Sequence, residues 1–229
     1  MPTATVGSQL SSSTPNSDPA AAVAAPAVTV VAIKRRTIDS ILIGFGVVAT
    51  AAFGIAGGLL TWGNNFSSDY VHKELSSQHI SFPPAEALTA DGRTDLLEWA
   101  GRSVDTGDEA QAYASYIDGH LDKIADGATY ADLGTPQRAA ATAVTAATDA
   151  NQPQSEIDAL QAKASAITAQ RTTLFTGETL RGLLLSAYAW STVGSIAGLA
   201  AIGAFAAALV MAVLVVLGVV HHRKVVTTS

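Results

Sequence analysis

Apolar positions gather in two long runs separated by a stretch that shows one apolar face at a time. The first run covers residues 38–62, with Asp39 near its start as its one charged side chain. From Ile41 to Leu60, a helix would rise about 30 Å, the thickness of a bilayer's hydrocarbon core. The second run, residues 183–220, contains no Asp, Glu, Lys or Arg. As a helix it would reach about 57 Å, nearly twice that thickness, and tilt absorbs too little of the excess. Its first part carries Ser186, Tyr188, Trp190, Ser191, Thr192 and Ser195, which suit an interface or a protein contact. The second membrane span is therefore expected at about 196–220, on a helix extended outward.

Between the runs the spacing is helical and partly amphipathic. Residues 65–80 continue the first helix with Phe66, Tyr70, Val71, Leu75, Gln78 and His79, until Ser81-Phe82-Pro83-Pro84 breaks it. Thr94 is expected to cap a short helix over 95–104, burying Leu96, Leu97, Trp99 and Ala100. Thr106-Gly107-Asp108-Glu109 opens a further helix with acids in its first turn. Ala110, Tyr113, Ala114, Ile117, Leu121 and Ile124 then form its apolar stripe, and Gly127 closes it. Residues 129–133 read as one more turn. Residues 134–152 are rich in Ala and Thr and read as a marginal helix in preference to a linker. Asn151 or Gln152 is expected to cap a long helix with Pro153 at its first position and Glu156 in its first turn. Ile157, Leu160, Ala164, Ile167 and Leu174 give that helix a coiled-coil-like seam, with Arg171 as a polar intrusion. No strong breaker stands before Leu183, although Gly177 and Gly182 weaken the join.

Composition and charge orient this arrangement. Hydrophobic residues make up 48% and charged residues 14% of the chain, well below the roughly 25% charged content of soluble domains. The net charge of −6 conceals an asymmetry. Residues 63–182 hold 17 acids against 8 Lys and Arg. The other basic residues are Lys34, Arg35, Arg36, Arg223 and Lys224, flanking the two runs, with His221 and His222 beside the last pair. That pattern places both termini in the cytoplasm and residues 63–182 outside it. An acidic central section excludes nucleic-acid binding. Cysteine is absent, so the outer domain has no disulfides and no thiolate chemistry. Residues 1–33, rich in Ala, Pro, Ser and Thr, read as a disordered cytoplasmic tail, and 221–229 as a second tail. Ala49-Thr50-Ala51 mimics a signal-peptide cleavage site and Arg35-Arg36 a twin-arginine signal. The apolar run continues past both, which favours an uncleaved anchor. Gly46, Thr50, Gly54 and Gly58 form a small-residue stripe on the first span. Ala200, Ala204, Ala208 and Ala212 form one on the second, with Gly194 and Gly198 above. Such stripes allow the spans to pack together or a homo-oligomer to form.

Candidate chemistry is sparse. His72, His79 and His120 lie in the middle section, but a zinc site needs three or four ligands converging on one point. Asp118, Asp122 and Asp126 step along a polar helix side and read as a solvated face. No phosphate-binding loop, nucleophile elbow, calcium loop or dinucleotide fingerprint occurs. Neither span carries an ionisable residue near its centre, which disfavours a transporter. No residue is nominated as catalytic, cofactor-binding or metal-ligating. The fold expected is all-α: two transmembrane helices flank a helical extracytoplasmic domain in the cytoplasmic membrane. The role expected is non-enzymatic: structural, sensory or accessory, with lipid and another membrane protein as partners. The alternatives are an extracytoplasmic metal-binding protein or hydrolase using the histidines, and a small homo-oligomeric channel-like protein. Residues 175–190, where Glu178 and Arg181 stand among apolar side chains, are the expected contact surface. The competing reading packs them only against residues 65–80.

Three stretches carry a family resemblance. They are Val71-His72-Lys73-Glu74-Leu75 with Gln78-His79-Ile80-Ser81-Phe82-Pro83-Pro84, then Thr106-Gly107-Asp108-Glu109-Ala110-Gln111-Ala112-Tyr113-Ala114, and then Leu174-Phe175-Thr176-Gly177-Glu178-Thr179-Leu180-Arg181-Gly182-Leu183-Leu184 with Ala187-Tyr188 and Trp190. Together they resemble uncharacterised two-pass membrane proteins of actinobacteria over residues 34–224. The resemblance implies a helical extracytoplasmic domain between two spans and assigns no activity. Some such proteins carry a ring-opening dioxygenase label, which is not carried over because no iron-binding arrangement is recognisable here.

Overall fold

The computed structural model describes residues 35–227, with side chains described for 37–224. The tail expected over residues 1–33 lies outside the described residues. The molecule is all-α. Helix α1 runs Arg35–Ser76 over 42 residues, and α5 runs Gln154–Thr227 over 74. At 1.5 Å per residue these are rods of about 63 and 111 Å. Between them come α2 (Ala85–Ala90), a 3₁₀ helix (Thr94–Trp99), α3 (Gly107–Ala125) and α4 (Gly134–Asp149). Both long helices are apolar and long enough to cross a membrane.

The rods pair antiparallel through small residues. Ile43 meets Gly218, Gly46 meets Val215, Gly57 meets Phe205, Asn64 meets Gly198 and Ser67 meets Gly194. Each step along α1 is answered, to within one residue, by the same step back along α5, so one register holds along the whole pair. At Gly57 and Gly194 an added Cβ would lie 2.9 Å from the Phe205 ring and 2.8 Å from the Ser67 Cβ. Only glycine permits this approach. The expected α1 stripe is corrected here: Gly46 belongs to the contact, but Gly54 and Gly58 face open space. On α5 the fully buried alanine is Ala201; of the expected stripe Ala200 is exposed, while Ala204, Ala208 and Ala212 are half-buried. The reason is helical phase. Steps of four residues drift off a straight seam, whereas two nearly antiparallel helices stay in contact through alternating steps of three and four. The row Gly46, Thr50, Gly57, Asn64, Ser67, Val71 follows the second pattern.

Away from the seam the paired spans are unburied. Phe45 is 69% exposed, Leu199 73% and Ile202 68%. Beyond Asn64, α3 runs antiparallel along α5, with Gly107 at Ser191 and Leu121 at Gly177, and closes a core of Val71, Leu75, Phe82, Val104, Ala110, Ala114 and Leu184. A second cluster, Leu121, Ala125 and Leu174, continues it outward. Gly177 lets Leu121 down onto α5. Farther out, α4 folds back on the start of α5, with Ala140, Ala147 and Ile157 buried.

Several boundaries differ from expectation. α1 stops at Ser76, short of Ile80, and His79 takes a left-handed conformation at φ 51°. The helix expected over 95–104 is a 3₁₀ turn ending at Trp99, and Thr94 forms no cap. Gly101 at φ 69° turns the chain back so that the Val104 N–H donates to Ile80 O and the Phe82 N–H to Arg102 O. With three residues per turn, Leu96 and Trp99 share a face and Leu97 falls outside it. Leu97 is exposed. In α3 the last inward residue is Ala125, and Ile124 is exposed. Left-handed Asp126 ends that helix, one residue before Gly127, which also has positive φ. The Ala/Thr-rich segment is a full helix of 16 residues. Asn151 does not cap α5. It sits at φ 50° and ends α4, donating to Thr148 O while Gln152 donates to Ala147 O. Asparagine tolerates that conformation better than most residues. The backbone carbonyl of Pro153 then accepts the first bonds of α5, from Glu156 and Ile157.

Candidate functional site

Residues 175–190 divide between two environments. Their inner side belongs to the core. Gly177 lies under Leu121, Leu184 is buried, Ala187 packs on the first cluster, and the Tyr188 backbone abuts Gly107. Arg181 reaches Asp118 at 3.3 Å and Glu178 at 3.1 Å. Their outer side is open: Phe175, Leu183 and Trp190 are each more than half exposed. The stretch packs on both α1 and α3, so the reading that confines it to residues 65–80 is too narrow. Together with α1 it also forms a groove, lined by Tyr70, Leu75, Leu183, Ala187 and Trp190. Above Trp62 the outer face of α1 carries a ladder of rings. Trp62 stacks on Phe66 at 5.6 Å, and Phe66 on Tyr70 at 6.2 Å.

The most constrained polar group is Glu109, 5% exposed at the start of α3. Its Oε2 accepts from the backbone N–H of Asp105 (3.0 Å) and Thr106 (2.9 Å) and from the Thr106 hydroxyl (2.9 Å). Its Oε1 accepts from Arg102 at 2.6 Å, and that guanidinium lies 4.8 Å from the centre of the Trp99 ring. The Thr106 hydroxyl in turn accepts from the Glu109 N–H, completing a capping box. Burial pushes the Glu109 carboxyl up. The two amides, the hydroxyl and Arg102 outweigh it and hold the group below the usual carboxylate range. The sequence signal was present in Thr106-x-x-Glu109, but nothing in it singled out Arg102 as the partner.

Two further arginines tie elements together. Arg93 grips both Asp95 oxygens at 2.9 and 2.8 Å and donates to the Ser115 carbonyl and hydroxyl on α3. Arg171 lies 3.9 Å over the Tyr130 ring and donates to Tyr130 O and to Gln137 on α4. The apparent intrusion in the α5 seam is thus the clamp between α5, α4 and the turn before it. Ser67, buried between the long helices, donates to Trp190 O at 2.6 Å.

The three histidines do not converge. His72 contacts Asp105 O at 3.3 Å, His79 is the left-handed residue past α1, and His120 stacks on Tyr116. Among the described residues no group of three or more His, Asp or Glu is placed to hold a metal ion. Asp118 faces Arg181, while Asp122 and Asp126 remain exposed. No family model matches this chain, and no curated protein or solved structure does either.

Proposed function

We propose that this chain is an integral membrane protein with two antiparallel spans and a helical domain outside the cytoplasm, serving a structural, sensory or accessory role. The register of α1 with α5 carries the reading. It sets Trp62 at the height of Leu199 and Ala200, so the apolar runs expected at 38–62 and 196–220 lie side by side within about three residues. A soluble protein would bury such rows, whereas hydrocarbon solvates them. Asp39 lies near His221 at the end of the pair where the basic residues gather. That end suits the cytoplasmic face, and the acidic domain suits the other. The non-catalytic reading draws on what the outer domain's charges do: Glu109, Arg93 and Arg171 each join one element to the next. The likeness to actinobacterial two-pass proteins fits the same architecture.

The lack of cysteine makes the topology directly testable. A single cysteine is placed at exposed Thr142 on α4 or at Ser8, and intact cells are treated with a membrane-impermeant maleimide. Thr142→Cys is expected to label at once, and Ser8→Cys only after permeabilisation. The opposite pattern, or release of the protein by alkaline carbonate, would overturn the proposal.

A further inference from the structure

Most arginines of the outer domain are matched to acids. Arg93, Arg102 and Arg181 each pair with a carboxylate, as does Lys123. Arg138 and Arg171 form no ion pair among the described residues, although residues 63–182 hold 17 acids against 8 bases. These two guanidiniums instead converge on Gly134, the first residue of α4. Arg171 Nη2 and Arg138 Nη1 lie 3.7 and 3.9 Å from the point a Gly134 Cβ would occupy, so they are at most about 8 Å apart. Each is a nitrogen its own side chain leaves over. Arg171 donates from Nε to Tyr130 O and from Nη1 to Gln137, and Arg138 donates from Nη2 to the Thr135 hydroxyl at 3.1 Å. Among the described residues, Arg171 Nη2 and Arg138 Nη1 have no acceptor. The first turn of α4 carries no acid. Asp132, just before it, turns away to accept from the Thr129 amide and hydroxyl at 2.9 and 2.7 Å.

Two cations held this close repel each other, so an anion between them stabilises the arrangement. Charge and size select that anion. Two charge-assisted N–H···O bonds of about 2.8 Å, with the oxygens of one tetrahedral oxyanion between, span nitrogens up to about 8 Å apart. A phosphate dianion balances both guanidiniums, and their planar forks match its oxygens. The cleft beside Arg171, lined by Tyr130, Gln137, Thr172 and Phe175, is about 190 Å³. That is below the range enclosing drug-sized ligands, so the ligand is small. We propose that Arg138 and Arg171 bind the phosphate group of a small soluble ligand, either inorganic phosphate or a short phosphomonoester. The guanidiniums, and not the helix end, supply the donors. α5 holds Arg171 about 40 Å past the level of Trp62, beyond the reach of a lipid head group. That exclusion of lipid rests on the two-span reading, while the site itself belongs to the outer domain alone.

The full chain in maltoside micelles is titrated with inorganic phosphate and with glycerol 2-phosphate at constant ionic strength. Binding is read by phosphorus NMR line broadening at about pH 7.5, where a phosphomonoester is a dianion. Saturable binding with a dissociation constant of about 1 mM or below is expected, and the tighter ligand names the source. Arg138 is exposed, so Arg138→Gln leaves the core untouched and should weaken binding about tenfold. Gly134→Ala sets a methyl within 4 Å of both nitrogens without a clash. It should weaken binding about fivefold while thermal stability holds or rises. Lys163→Gln removes the same charge from an exposed side chain of α5 and should leave binding unchanged. Absence of saturable binding, or binding unmoved by Arg138→Gln or lowered as much by Lys163→Gln, would overturn the site and leave the spans standing. Acetate competing as well as phosphate would overturn it in favour of a carboxylate. Binding confined to phosphatidic acid added to the micelles would overturn the soluble source, and with it the height that the two-span reading gives Arg171.

Discussion

Replacing Glu109 by alanine should loosen α3 more than any other single change of a charged residue in the outer domain. The substitution removes the acceptor for the Asp105 and Thr106 amides and for the Thr106 hydroxyl, and it strands Arg102. Loss of a capping interaction costs about 0.5–2 kcal/mol. A buried donor left without an acceptor costs about 1–3 kcal/mol. The Arg102 side chain is 53% exposed, so screening holds the ion pair itself below about 1 kcal/mol. These contributions overlap, and about 3 kcal/mol is a fair total. If α3 opens as a unit, its first-turn amides should exchange with deuterium about a hundredfold faster at neutral pH. Glu109→Gln keeps one oxygen acceptor and should show about a tenfold effect. Acid gives an independent check. The folded carboxyl titrates below its ordinary 4.5, so its stabilisation is complete above that value and is lost as pH falls through the folded pKa. Fluorescence of Trp99, with Trp62 and Trp190 replaced by Phe, should report that acid transition in the wild-type background and not in Glu109→Gln. Exchange in Glu109→Ala within about threefold of the parent would refute the argument, because the capping network would then contribute under 1 kcal/mol.

Three further substitutions test the packing and the backbone. Gly194→Leu drives a side chain into Ser67 and toward the Asn64 carbonyl, whereas Gly54→Leu enters open space. The first should lower stability in detergent by about 1–3 kcal/mol and weaken cross-linking between cysteines placed at Asn64 and Gly198, and the second should do neither. Equal effects would mean the wrong faces have been paired. His79→Gly relieves a left-handed residue at φ 51° and should stabilise the end of α1 by up to about 1 kcal/mol in urea titration. A loss of stability there would show that the imidazole makes a contact worth more than the relief.

The sequence revealed the architecture because the strongest signals are long. Two long apolar runs and a capped amphipathic helix survive errors of several residues. Finer features failed where they depend on geometry between helices. Gly46, Thr50, Gly54 and Gly58 are evenly spaced, yet the partner helix demands Gly57, which breaks the even spacing. The end of α1 was placed at the prolines, but the chain had already turned through His79. Asn151 looked like the start of one helix and serves as the end of another, since the same residue type suits both positions. The Ser67 bond to Trp190 joins residues 123 apart, and the Arg102–Glu109 pair reaches seven residues along the chain across the non-helical turn before α3, so no local pattern announces either. His72, His79 and His120, the residues of the metal-binding alternative, each take a separate local role.

The unbroken course of α5 makes residue count a matter of angle. From Gln154 to Thr227 no loop intervenes to absorb a change of length. One residue inserted between Leu174 and Gly194 would swing α4 and the turn before it by about 100° around the rod relative to the spans. Seven would lift them about 10 Å with little rotation. The distal helical hairpin is therefore aimed by arithmetic: eighteen inserted residues, about five full turns, would leave its bearing unchanged, while each insertion of seven would shift it by about 20°.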